Sequence, residues 1–359
     1  MGRRKDLVRT DPVSNRQPLE IACDESGYEG EKLIDTTTDV FAHASVQMDT
    51  ESATNCIQEL RRRIRSPATE YKANHLLREK HRSVLKWLLG PQAPLHGNAH
   101  VYLIDKAFYV VGKVIDLLVG DLTDPASIGL YQDERAKAMA ATLYREGRRG
   151  FGREQWEAFL VSANDLMRTK DRLDVRTSVD SFFRMLDILR LARTGGRVDE
   201  IFGLLRQARP RADSFRAQLL DNPKMIPALD PLIPAIVQAV IYWSDGGKPV
   251  SIVHDQQNTL SAERIAQLKE LIGKGPPVPD YSPRSRLTSL SLVASHADPR
   301  VQIADILAGV ARKIASDELN DRGDAELTAL LRPYVDSSSI WGDDRSWSLL
   351  GPAPSAQSS

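Results

Sequence analysis

Cysteine is scarce in this chain, aromatic residues are sparse, and neither sign of charge prevails. Two cysteines, Cys23 and Cys56, are too few for a disulfide scaffold or a cysteine-rich zinc site. Both lie in apolar runs and read as reduced core residues of a cytosolic protein. Aromatics make up 6% of the residues, which offers few stacking platforms for unpaired bases. Lysine plus arginine and aspartate plus glutamate stand at 48 each, so any site for a polyanion must be local. No apolar run approaches the roughly 18 residues of a membrane span. The basic start Met1-Gly2-Arg3-Arg4-Lys5-Asp6 is not followed by the apolar segment of a secretion signal. The expectation is a cytoplasmic protein with no membrane partner.

What remains is an ordinary globular composition, 42% hydrophobic and 27% charged over 359 residues, enough for one large domain or two smaller ones. The pattern divides the chain. Residues 1–17 read as a disordered arm and 351–359 as a disordered tail. Strands are expected at Leu19–Asp24 and Val40–Val46, with a short one between them around Leu33 and Ile34, forming an antiparallel meander. A helix through Ile57, Leu60 and Ile64 follows, then a second through Leu76 to Leu89. The strand His100–Lys106 and an apolar helix Phe108–Leu118 complete this half. From 120 to 247 the period is helical throughout and reads as an all-helical insertion. Strand character returns at Pro249–Asp255 and Leu287–Ala294, and an apolar helix follows Asp298-Pro299. An α/β core is thus expected over 18–119 and 248–316, with a helical extension at 317–350.

Three of the expected strands finish in an acid: Asp24, Asp105 and Asp255. Asp24-Glu25-Ser26-Gly27 in isolation reads as an acidic turn, and Asp305 in isolation as a solvent-facing residue of its helix. Together they read differently, because strand ends on one edge of an α/β sheet converge where such sheets bind ligands. An ionised acid among Val301, Ile303, Ala304, Ile306 and Leu307 needs a partner if it faces inward, and a divalent cation is a good one. Gly309, one turn on, allows a close approach on that side. Carboxylates at this density suit Mg²⁺ or Mn²⁺. Two such ions about 4 Å apart activate a water and stabilise the leaving oxygen of a phosphodiester.

Asp24-Glu25-Ser26-Gly27, His254-Asp255-Gln256-Gln257 and Val301-Gln302-Ile303-Ala304-Asp305 occur in an order that resembles the prokaryotic domain-of-unknown-function 3800 group. Glu70-Tyr71-Lys72 and Ile104-Asp105-Lys106 resemble further elements of it. The resemblance spans about residues 19–119 and 248–315 and leaves the helical block uncovered. It implies a ribonuclease H-like mixed sheet flanked by helices, and a metal-dependent nuclease of phage defence or a mobile element. Asp24, Glu70, Asp255 and Asp305 are then candidate catalytic metal ligands, with Asp105 a weaker fifth. Lys72 is expected at a phosphate, and Gln302 beside Asp305 or the nucleic acid.

Other readings compete. Glu70-x-Lys72 also matches the second half of a PD-(D/E)xK nuclease signature, which needs a strand there and an upstream strand-end acid such as Asp49, Glu51 or Glu59. His254-Asp255 matches the HD phosphohydrolase pair, but Val250 to Val253 argue for a strand rather than a helix. Glu25 should point away from Asp24 if its strand continues. Arg61-Arg62-Arg63 and the cluster Arg145, Arg148, Arg149 and Arg153 read first as solvated faces. If nucleic acid binds, Arg148 and Arg149 are expected at its phosphates. The remaining alternative is a non-catalytic ribonuclease H-like interaction module, with the helical block docking a protein partner.

Overall fold

The structure is a computed structural model describing residues 17–65, 71–120, 134–169, 175–191, 196–222, 224–244, 247–274 and 286–353. The first strand, β1, runs Leu19–Ser26, and β2 follows at Val40–Val46. Helices α1 (Thr50–Ile64), α2 (Ala73–Leu76) and α3 (Arg82–Leu89) precede β3 (Ala99–Asp105). Helix α4 (Lys106–Leu118) leads into α5 (Glu134–Gly150), α6 (Arg153–Met167), α7 (Val175–Leu191), α8 (Arg197–Gln207), α9 (Arg209–Asp221) and α10 (Leu232–Trp243). Then come β4 (Pro249–Asp255), α11 (Ala262–Lys274), β5 (Arg286–Val293), α12 (Pro299–Leu319), α13 (Ala325–Leu331) and α14 (Asp344–Leu350).

The five strands form one mixed sheet in the order β3-β2-β1-β4-β5. β2 is antiparallel to both neighbours, whereas β4 lies parallel to β1 and β5 parallel to β4. The meander expected from sequence is corrected in one place. Residues around Leu33 and Ile34 form no strand, because that segment packs on the helical block: Asn164 Oδ1 accepts from the amides of Leu33 and Ile34 at 2.8 and 3.1 Å. β3 follows α1–α3, as expected, and joins the sheet beside β2.

Alternation along the strands gives the sheet two apolar faces. Ala22, Ala42, Ala44, Val101, Leu103 and Val253 pack against α1, α3 and α12. Ile21, Cys23, Phe41, Ile104 and Ile252 face the other way and share a single core with α4, the helical block and α11. The block therefore extends the core of the sheet, because its helices must bury their apolar stripes somewhere and α4 offers an apolar surface on nearly every side.

The segment after α13 does something the sequence did not announce. Val335 and Ile340 pair with Val101 and Ile104, and the Ile340 amide donates to Leu103 O at 2.9 Å. This covers the free edge of β3, which would otherwise present unpaired backbone groups. Helix α12 runs through residue 316, so the boundary expected there falls inside an element. It starts sharply, since Asp298 accepts from the Arg300 amide at 2.9 Å and Pro299 occupies the first turn.

Candidate acidic site

β1 stays extended through Ser26, so Asp24 and Glu25 point to opposite faces of the sheet. Asp24 lies on the α12 side and is buried. Cys23 pairs with His254 in register, which sets Asp255 at the end of β4 beside Asp24 and on the same face. Helix α12 packs over β1 and β2 and carries Asp305, also toward this face. These placements are visible in the electrostatics. The Asp24 carboxyl is pushed up to about 9 by burial first, then by the charges of Glu25, Asp305 and Asp255, against the Glu25 amide it accepts from at 2.7 Å. Asp24, Asp255 and Asp305, three of the four expected ligands, thus lie toward one face of the sheet, within electrostatic reach of Asp24. Glu70, the fourth, lies outside the described residues.

The approach of α12 depends on Gly309. A Cβ at this position would stand 2.4 Å from the Ala73 Cβ of α2 and 3.8 Å from Ser26 Oγ, so a larger residue would push the helices apart. The close contact is with α2, a refinement of the helix–sheet approach expected from sequence. It brings in Lys72, whose Nζ lies 2.8 Å from Asp305 Oδ2. Gly27 turns the chain away after the acids at φ 81°, and a Cβ there would meet Val40 O at 2.4 Å and Arg312 Cδ at 2.8 Å.

Glu25 belongs to a different network. Its Oε1 accepts from Gln257 Nε2 at 2.5 Å, and its Oε2 lies 3.6 Å from His254 Nε2. The His254 ring stacks on His43 at 5.4 Å, and both rings are fully buried. Burial and the neighbouring rings of His254 and His100 hold His43 well below the usual histidine range. His254 sits on β4, a strand, so the helical setting required by the HD reading is absent.

Several expected site residues are placed elsewhere. Asp105 does not join the acids: it caps α4, accepting from the Phe108 amide at 3.1 Å. Burial pushes its carboxyl up to about 6, against the Tyr144 hydroxyl, the Phe108 amide and the Arg148 guanidinium. Gln302 donates to His296 O at 3.3 Å and so fixes the turn before α12. Arg148 and Arg149 line a cavity of about 410 Å³ with Arg145 and Arg345, at the far end of α12 near Leu319 and Asp321. The cluster Arg61 to Arg63 is spent in part on Glu59, which both Arg62 and Arg63 reach at 2.6 Å. The PD-(D/E)xK arrangement is not formed at Lys72, which precedes a helix rather than lying on a strand. Asp49 caps α1, Glu51 lies in its first turn, and Glu59 pairs with arginines, so none is a strand-end acid.

The donor set is all hard oxygen, and Asp24 is a buried acid that holds its proton for want of a compensating charge. That chemistry fits Mg²⁺ or Mn²⁺. The side chains as placed do not enclose an ion: among the described residues no three His, Cys, Asp or Glu groups are arranged to hold one, and Asp305 is turned to Lys72. No family model matches this chain, and no curated protein or solved structure does.

Sequence reasoning missed Arg312. Its Nε donates to Ser26 Oγ at 2.9 Å, directly behind the acidic turn. The signal was present, because residue 312 follows Asp305 by seven and shares its helical face.

Proposed function

We propose that this protein is a divalent-metal-dependent nuclease with a ribonuclease H-like core, of the domain-of-unknown-function 3800 type. The observation that carries the reading is the placement of Asp24, Asp255 and Asp305 on one face by β1, β4 and α12, where burial first, then the charges of Glu25, Asp305 and Asp255, push the Asp24 carboxyl up to about 9. A sheet ordered β3-β2-β1-β4-β5 with β2 alone reversed supports the ribonuclease H-like assignment, as does the acid on the helix that follows the last strand. Asp24, Asp255 and Asp305 would hold the cation, and Glu70 is placed by the motif resemblance as a fourth ligand. When bound, the cation supplies Lewis-acid activation of water and neutralises charge developing at a phosphodiester.

The chain's own residues prepare for this. β1 and β4 fix two carboxylates on neighbouring strands, so their separation is set by a rigid ladder. α12 brings the third from above. Lys72 neutralises Asp305 and would turn to a phosphate oxygen when that acid takes a cation.

A second reading, a ribonuclease H-like interaction module without catalysis, is favoured by one observation. The Lys72–Asp305 pair already answers one of the acids with a cation of the protein itself. The experiment that separates them assays wild type, Asp24→Asn and Asp305→Asn on DNA and on RNA with Mn²⁺. The nuclease reading expects cleavage by wild type and a loss of at least about 100-fold in each variant. Full activity in both variants would sink the mechanism, and a wild type inert on every substrate selects the interaction module.

A further inference from the structure

Arg312 presents an anomaly. It is half-buried beside the acidic turn, and among the described residues no carboxylate pairs with it. Half-buried guanidinium groups ordinarily have an anionic partner, because desolvating the charge is costly. Among the described residues its hydrogen bond goes from Nε to the neutral Ser26 Oγ, which fixes the plane of the group, and none is made there by the terminal Nη1 and Nη2. Gly27 makes room for the stem, since a Cβ there would come within 2.8 Å of Arg312 Cδ.

A neighbouring cation, Lys106, adds to the positive charge here. Lys106 is buried, donates to Thr38 Oγ1 at 2.7 Å and lies 3.6 Å from Glu29. Burial lowers its ammonium to about 8; Glu29 and Asp39 oppose that shift, and Arg312 adds to it. Glu29 therefore answers Lys106, Asp39 is held by Ser316 and Asn320, and Arg312 adds positive charge with no carboxylate paired to it among the described residues. Its position relative to the acids is set by the helix. Seven residues along α12 place Arg312 about 10 Å from Asp305 and within about 20° of the same face. That separation is about three charge steps of one strand of a duplex, at 3.4 Å each.

We propose that Arg312 is a phosphate-binding residue of the acidic site, receiving a backbone phosphate of a nucleic-acid strand a few nucleotides from the acids. An arginine suits the task, since its planar fork grips two phosphate oxygens at once and stays charged at any accessible pH. The inference rests on the nucleic-acid reading above but not on cleavage.

The test measures binding in EDTA, where no metal-dependent cleavage occurs. Full-length wild type, Arg312→Gln and Arg312→Lys are titrated against fluorescein-labelled single-stranded and duplex oligonucleotides of DNA and RNA at several salt concentrations. Arg312→Gln is expected to bind at least about tenfold more weakly, with the slope of log K against log salt reduced by about 0.7 to 0.9. Arg312→Lys should recover most of both. A wild type that binds, with Arg312→Gln matching it in affinity and slope, overturns the Arg312 role alone. No binding by wild type overturns both readings. Equal losses in Arg312→Gln and Arg312→Lys, with both melting several degrees lower, assign Arg312 to holding the Ser26 turn and also overturn the proposal. Binding that depends on Arg312 in a wild type that never cleaves supports it and removes catalysis instead.

Discussion

Lys72 holds its ammonium 2.8 Å from Asp305 Oδ2, so the acid that α12 carries into the site meets a lysine delivered from the start of α2. Gly309 and Ala73 meet one turn away, and a cation bound by Asp305 would have to displace this lysine. Lys72 is half exposed, so the pair itself contributes at most about 1 kcal/mol to stability. Its interest lies in competition with a cation.

That competition gives the first prediction. Lys72→Met should leave the melting temperature in EDTA nearly unchanged and increase the affinity for Mn²⁺ several-fold, read by isothermal titration calorimetry. Weaker Mn²⁺ binding in Lys72→Met would show instead that the lysine helps to assemble the site.

Asp24 makes stability depend on pH in a defined direction. Its carboxyl ordinarily ionises near 3.8, and in the folded protein near 9. Between these values the folded state holds a proton that the unfolded chain has released, so stability falls as pH rises through that window. In EDTA, the melting temperature should drop from about pH 5 to about pH 8, and Asp24→Asn should raise it by a few degrees at the upper end. A flat profile for wild type would remove the claim that Asp24 lacks a compensating charge.

Divalent ions should reverse this trend. Mg²⁺ or Mn²⁺ at about a hundred times its Kd should stabilise wild type by about 2.7 kcal/mol relative to EDTA. Asp24→Asn and Asp305→Asn should lose most of that gain. Glu25→Gln should keep it, since Glu25 faces Gln257 and His254 on the opposite side of the sheet. A Glu25→Gln protein that no longer responds to metal would place that residue among the ligands.

Gly309→Ala probes the close approach of α12. Its new Cβ would lie 2.4 Å from Ala73 Cβ, an overlap relieved only by moving α2, at a cost of about 1–3 kcal/mol. Ala73→Gly added to it should restore most of the loss in urea denaturation. No restoration in the double variant would show that the helix itself, rather than the Ala73 contact, resents the substitution.

Some of this molecule was legible in its residues. Val40–Val46 and Pro249–Asp255 form strands with the bounds their apolar content suggests, because β-branched and apolar runs between turn residues have few alternatives. Alternation along β1 put Glu25 opposite Asp24, and chain order suggested that Asp24, Asp255 and Asp305 would meet. Asp105 misled for a physical reason: an acid at a strand end is equally the N-cap of the helix that follows, and sequence carries no mark of which task it performs.

What the sequence by itself determined is local. Periodicity set the strands and helices, glycine at positions 27 and 309 set the turn and the close contact, and composition left no global field for a polyanion. What only the tertiary structure decided is partnership across long separations. Lys72 with Asp305, Arg312 with Ser26, and the segment at Val335 to Ile340 on the edge of β3 join residues far apart in the chain. No propensity encodes such pairs, because each forms only where packing has already fixed the distance between two elements.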